Sequence, residues 1–301
     1  MKKIIIPTLA LLSLALSFSS CEDVIDIDVQ DAVDQLVIDG WLTNKSEDQY
    51  IKLSLTQPYF DNSPVRMVTG AEVIVFEADS TAHSFTDLGD GRYLLKKENA
   101  GFLEENGQYA LYVKYQNEEF TALSKLNRVP AIDSIAYEFF ELPFAADDSS
   151  ETEGYFAEFY AKDPEGEGDT YWIRTTKNGK LINDPGRISL AYDAGFSPGS
   201  RSDGLLFILP VRQSINDGLY QHNDSIHVEI WSIGLDAYYY LQQIAQESSN
   251  GGIFATPPAN IPTNIFNRNG NSQSKALGFF GVSAVSEFST VLDSTLARPR
   301  D

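Results

Sequence analysis

"YIKLSLTQ", residues 50–57, alternates apolar Ile51, Leu53 and Leu55 with polar Lys52, Ser54 and Thr56. Side chains on a strand alternate sides, so this spacing predicts a β-strand with one face buried. The stretches around it are of the same kind: "LVIDGWL" (36–42), "AEVIVFEA" (71–78), "HSFTDL" (83–88), "GRYLLKK" (91–97), "QYALYVKY" (108–115) and "EEFTALS" (118–124). Between them, "FDNSP" (60–64), "LGDG" (88–91) and "EENG" (104–107) carry the Gly, Asn, Asp and Pro that turns require. Seven short strands in about ninety residues predict a β-sandwich of immunoglobulin-like or transthyretin-like type over residues 35–128. "GRY" and "GQY" place Tyr93 and Tyr109 two residues after Gly91 and Gly107, where each ring can cap the core.

Pro130, within "NRVPAIDSI" (127–135), marks a boundary, and residues 129–301 read as a second, mostly β domain. Its expected strands are "SIAYEFFEL" (134–142), "GYFAEFYAKD" (154–163), "TYWIRTTKNG" (170–179), "LLFILPV" (205–211) and "SIHVEIWSIG" (225–234). One helix is predicted near 235–247, where Leu235, Tyr238, Leu241, Ile244 and Ala245 form an apolar stripe and Gly251–Gly252 follow as a stop. "FATPPANIPTNIFNRNGN" (254–271) is too rich in Pro and Asn for a regular element, and "ALGFFGVSAVSEFS" (276–289) predicts a last strand returning to the sheet. The fold class is mainly β.

The chain begins with Lys2 and Lys3, an uncharged apolar run from Ile4 to Phe18, and then Ser19, Ser20 and Cys21. This is the layout of a signal peptide over residues 1–20, and the run is shorter than a membrane-spanning helix needs. A cysteine directly behind small residues resembles the lipobox of bacterial lipoproteins, which implies that Cys21 carries the lipid; the alternative is an ordinary leader residue. Cys21 is the only cysteine, so no intramolecular disulfide is possible. Two or three acyl chains on it would anchor the protein durably, where one binds marginally. Residues 21–34, rich in Glu22, Asp23, Asp26 and Asp28, read as an acidic tether or an edge strand.

The net charge of −21 becomes two units more negative without Lys2 and Lys3. A surface of that sign repels nucleic acid and anionic lipid, so DNA and RNA are excluded as partners. Of the imidazoles, only His83, His222 and His227 are available, without H-x-x-x-H spacing or a G-x-S-x-G elbow. No catalytic residue is therefore assigned. "KDPEGEGDTYW" (162–172) sets Asp163, Glu165, Glu167 and Asp169 at alternate positions around two glycines, a set of oxygen ligands able to wrap Ca²⁺; the other reading is a solvated hairpin turn. Phe60, Tyr192 and Phe196 fall in expected loops, where aromatic side chains serve as contacts for a ligand or partner.

The ordered set "LVIDGWLTN…YIKLSLTQPYF", "VTGAEVIVFEA", "GRYLL", "GQYALYVKY", "DSI", "DPEGEGDTYWIR" and "FATPPANIPTNIF…GFFGVSAVS" resembles domain-of-unknown-function family 4249, lipoproteins of Bacteroidota. The resemblance covers essentially the whole chain after residue 20. It implies a lipid-anchored protein of the outer membrane that assists a TonB-dependent receptor, and it brings no catalytic residues. Glu22, Asp23 and Asp26 also resemble the acidic signal that sends such lipoproteins to the extracellular face. The expected function is non-enzymatic capture of a nutrient, a peptide or a glycan, for uptake. The alternatives are a surface hydrolase using a carboxylate pair and a structural adhesin.

Overall fold

The computed structural model describes residues 34–58, 61, 63–144, 151–250, 260–270, 272 and 274–299. Residues 34–301 form one compact unit. Seven strands open it: β1 (Leu36–Thr43), β2 (Gln49–Leu55), β3 (Glu72–Glu77), β4 (Ala82–Asp87), β5 (Arg92–Leu95), β6 (Gln108–Tyr115) and β7 (Glu118–Lys125). Then come β8 (Ile132–Glu141), β9 (Glu153–Ala161), β10 (Thr170–Lys177), β11 (Lys180–Leu181) and β12 (Ser189–Tyr192). The chain continues with helix α1 (Leu209–Arg212), β13 (Ser225–Ile233), helix α2 (Leu235–Ser248), β14 (Ile265–Asn267), β15 (Ala276–Ser283) and β16 (Val285–Val291). The fold is mainly β.

The largest sheet has nine strands in the order β14-β7-β6-β3-β4-β5-β2-β1-β15. It turns over at β4, which pairs with β3 on one side and β5 on the other, so the two halves face each other as a sandwich. Ile38, Leu42, Ile51 and Leu53 from one half meet Val75, Leu111, Val113 and Phe120 from the other in one buried core. Tyr93 and Tyr109 lie in that core, and their hydroxyls are satisfied by loop backbone: Tyr93 donates to the Val68 carbonyl, and Tyr109 accepts from the Glu104 amide at 2.7 Å.

Both outer strands of this sheet come from late in the chain. β15 runs parallel to β1, with Ile38 opposite Gly278 and Trp41 opposite Gly281. β14 pairs with β7, and so the short segment read from its Pro and Asn content as irregular holds a three-residue strand. The first core therefore draws on both sides of residue 129. The two edges also meet. Asn264 donates to the Phe280 carbonyl at 2.7 Å and accepts from the Phe280 amide at 3.0 Å, while the Val282 amide donates to Ser124 Oγ at 3.1 Å.

A second sheet has the order β11-β10-β13-β16, with β12 also on β10, and the β8–β9 hairpin forms a third. Tyr137 and Phe159 of the hairpin pack against Tyr171, Ile173, Val228 and Ile230 of the second sheet. The run expected as one returning strand at 276–289 is two strands in different sheets, β15 on β1 and β16 on β13. Ser232 fixes the crossing point: its hydroxyl accepts from the Ala284 amide at 3.0 Å and donates to the Asn127 carbonyl at 2.7 Å.

Two local expectations are corrected. "LLFILPV" is not a strand: it makes an isolated bridge between Leu206 and Lys162 and then turns into α1, whose first turn holds Pro210. Proline lacks the N–H a ladder needs and suits a helix start. In α2, Tyr238 and Leu241 are buried as the stripe requires and Ile244 and Ala245 are half-buried, but Leu235, at its first position, is 46% exposed, and Ala237, outside the expected stripe, is buried. Gly251 and Gly252 lie outside the described residues.

Candidate functional site

Cys21, Glu22, Asp23, Asp26 and Phe60 lie outside the described residues. Tyr192 and Phe196 are brought to one place, against α2. Tyr192 ends β12 with its ring edge-on to Tyr238 at 6.2 Å, and the Tyr238 hydroxyl donates to the Phe196 carbonyl. The Phe196 ring itself is 47% exposed.

Phe196 closes one end of a cleft of about 510 Å³, lined also by Arg187, Ser189, Leu190, Asn216, Tyr238 and Gln242. A second cavity of about 560 Å³, lined by Lys177, Asn178, Lys180, Asn183, Asp184 and Asp217, adjoins it, and Arg187 borders both. The local sequence accounts for Arg187. Asp184 caps a short helical turn at Pro185–Arg187, accepting from the Gly186 amide at 2.9 Å. That turn aims the guanidinium at Asp217, 3.0 Å away, and at the Asn216 carbonyl, 3.2 Å away. Asn216 is fixed in turn by both backbone groups of Ala157, each at 2.8 Å. Ser189 donates to Ser214 at 2.7 Å in the lining of the first cavity. The first compartment thus offers mostly aromatic and aliphatic surface, the other amides, cations and two carboxylates. Both volumes suit a small ligand or a short piece of a polymer.

The four acids expected to wrap Ca²⁺ do not converge. Glu165 and Glu167 are exposed, and Asp169 is engaged by Arg128 at 2.6 and 2.9 Å. Asp163, 1% exposed, instead meets Asp193 and Asp203, with one carboxylate oxygen of each within 4.8 Å of the others. The loop between Asp163 and Asp169 places them: Asp193 accepts from the Gly168 and Asp169 amides, and Asp203 from the Gly166 amide. Asp163 accepts from the Tyr171 hydroxyl at 2.7 Å and the Gly204 amide at 3.1 Å. Burial pushes both the Asp163 carboxyl and the Tyr171 hydroxyl up from their ordinary values, with the Tyr171 bond opposing the rise at Asp163. Three oxygens at that spacing can serve a hard cation, although backbone amides already donate to all three carboxylates.

His227, Glu229 and Glu287 make a second convergence on β13 and β16, with ligating atoms within 4.8 Å of one another. Lys45 occupies it, 2.8 Å from Glu229 and 2.7 Å from Glu287. Of the other histidines, His83 stacks on Phe102 at 3.7 Å and bonds Glu77, and His222 accepts from the Ser294 amide.

Sequence reasoning missed the meeting of the chain's three tryptophans. Trp172 lies edge-on to Trp41 at 5.4 Å and to Trp231 at 5.7 Å, and Trp41 stacks on Phe279 at 5.4 Å. They stand on β1, β10 and β13, and no spacing in the sequence announces that encounter.

Among the described residues, no helix is long and apolar enough to cross a membrane. No curated protein matches the sequence. Among solved structures, similarity is found to a chain from work on host cell surface retention of a 1.5-MDa bacterial ice-binding adhesin, at 10% identity and a TM-score of 0.18. It covers 86% of this chain, which spans 63% of that one, and likeness at that level carries no argument. The profile of the family described as "Domain of unknown function (DUF4249)" matches residues 22–289, and the chain belongs to that family.

Proposed function

We propose that the protein is a non-enzymatic binding subunit, anchored in the outer membrane of a Bacteroidota cell through lipid on Cys21. In this reading it stands on the extracellular face and holds a peptide or glycan segment for a TonB-dependent receptor. The observation that carries the binding role is the pair of adjoining cavities at Arg187, one mostly apolar and aromatic, the other lined by amides, cations and the carboxylates of Asp184 and Asp217. Such a cleft grips the polar backbone of an oligomer along one side and a flat or apolar group at its end. Ser189 and Ser214, which line the aromatic cavity, pair with each other, and the Asp217 carboxylate of the second cavity is paired with Arg187. The leader, Cys21 and the acids behind it supply the anchor and the address.

The test is purification of the intact protein from its native envelope in mild detergent. Co-purification with a β-barrel receptor is the expected result, with Cys21→Ser moving the protein out of the membrane fraction. Arg187→Ala is expected to keep the receptor and lose ligand retention. Recovery as a lone chain that turns over polysaccharide or peptide would establish the hydrolase reading instead.

A further inference from the structure

Arg174 on β10 lies directly opposite Glu229 on β13, yet the two make no ion pair. Glu229 is taken on both oxygens: Oε1 accepts from Lys45 at 2.8 Å and Oε2 from the Trp231 indole N–H at 3.1 Å. The Arg174 guanidinium instead lies over two indoles, 4.8 Å from the Trp172 ring centre and 4.3 Å from that of Trp231. Among the described residues it donates no hydrogen bond and joins no salt bridge. A guanidinium carries five N–H donors, and none of the Arg174 nitrogens is both sealed from solvent and without a partner. The indole faces stabilise its charge but accept none of those protons in the plane of the group. Its donors therefore face outward, where oxygen atoms from outside the chain can accept them.

The surroundings select the chemistry of those oxygens. Asp39, Glu47 and Glu229 all lie within electrostatic reach of Arg174, so an incoming anion would meet three carboxylates. A neutral molecule rich in oxygen avoids that repulsion. Trp41 and Trp172, both half-buried, present aromatic surface suited to a flat ring with C–H groups on its face. Asp39 projects from the same face of β1 as Trp41 and is exposed, an acceptor for hydroxyl protons beside a donor fork. We propose that Arg174, Trp41, Trp172 and Asp39 form a binding site for a neutral saccharide unit, whose ring stacks on the indoles and whose oxygens accept from the guanidinium.

This site does not rest on the Arg187 cleft. Tyr238, Gln242 and Ala245 of α2 turn to that cleft, whereas Tyr240 turns to Trp41 and Phe279, so either site can fail alone. All three tryptophans of the chain belong to this cluster, which makes intrinsic fluorescence a direct report on it. The intact protein is titrated with cellohexaose, maltohexaose, mannohexaose and xylohexaose, with polygalacturonate as the anionic comparison. A saturable change in emission with a neutral member is expected. Arg174→Ala should weaken that binding roughly tenfold or more. Arg174→Lys, which keeps the charge but loses the planar fork, should weaken it as well. Lys114→Ala, at an exposed position of β6 in the first sandwich, should leave it unchanged, and circular dichroism of each variant confirms the fold. No saturable response to any neutral sugar, a response to polygalacturonate alone, or wild-type affinity in the folded Arg174→Ala and Arg174→Lys variants would overturn the proposal.

Discussion

Lys45 and Glu229 are paired at 2.8 Å across 184 residues of sequence, from the loop after β1 to the middle of β13. The same ammonium lies 2.7 Å from Glu287, which stands opposite Glu229 on β16. Lys45 therefore relieves a like-charge cross-strand pair while tying the loop of the first sheet to the second.

That relationship fixes a pH dependence. Burial works against both charges, but the bonds between them prevail: Glu229 is held below its ordinary 4.5 and Lys45 well above its ordinary 10.5. A depressed carboxyl stabilises the fold above its unfolded value and loses that contribution as pH falls through the folded one. A raised ammonium stabilises below its unfolded value and loses that contribution as pH rises through the folded one. The pair thus contributes fully between those two ordinary values. Lys45→Met should cost about 2 kcal/mol at neutral pH, because it leaves two carboxylates facing each other. Urea denaturation at several pH values should show the deficit shrinking below the ordinary carboxyl range.

Asn264 stands in for a strand where the nine-stranded sheet closes on itself, giving and taking one hydrogen bond with Phe280. Asn264→Ala leaves both backbone groups of Phe280 without that partner and should destabilise the protein by about 2 kcal/mol. Amide exchange at Phe280 should accelerate more than exchange at Ile51, deep in the same core.

Gly278 is the point of closest approach between β15 and β1. Its φ is +90°, and a Cβ there would come within 2.0 Å of the Ile38 carbonyl oxygen. Gly278→Ala should cost roughly 3 kcal/mol or more, since the atom in the way is backbone and the conformation disfavours any side chain. A fall in melting temperature much larger than that caused by alanine at Gly179, where nothing lies within 4 Å, would verify it.

Tyr238 holds the Phe196 turn through a hydroxyl bond to its carbonyl. Tyr238→Phe should lower stability by only about 1 kcal/mol. It should weaken any ligand of the Arg187 cleft by several-fold, because the aromatic wall loses its fixed position; calorimetry with wild type and variant compares the two.

The seven strands β1–β7 were legible because alternation at Ile51, Leu53 and Leu55 and turn residues such as Gly91 and Gly107 act over a few neighbours. Helix α2 was legible for the same reason, its stripe being periodic over fourteen residues. What escaped was pairing. The run at 276–289 reads as one strand because it carries no Pro, Asn or Asp to mark a turn, and only the competition between β1 and β13 for partners splits it at Ala284. At the cleft, Phe196 was legible as a loop aromatic, whereas Tyr192, read as a loop residue too, ends strand β12 and does not line it; Arg187 was not legible, since a charged residue behind Pro185 and Gly186 reads as an ordinary solvated turn.

The candidate cation ligands show the same division. Alternation marked Asp163, Glu165, Glu167 and Asp169, but a turn with Gly166 and Gly168 at positive φ sends its amides, not its side chains, toward Asp193 and Asp203. By itself the sequence determined the mainly β class, the strands of the first sandwich and the helix, all of which rest on short-range periodicity and local turn chemistry. The tertiary structure alone decided that β15 closes on β1, that Arg187 joins two cavities, and that the three distant tryptophans cluster where Arg174 lies over two of them. Each of those depends on which surfaces, far apart in the chain, bury one another at the least cost in unpaired polar groups.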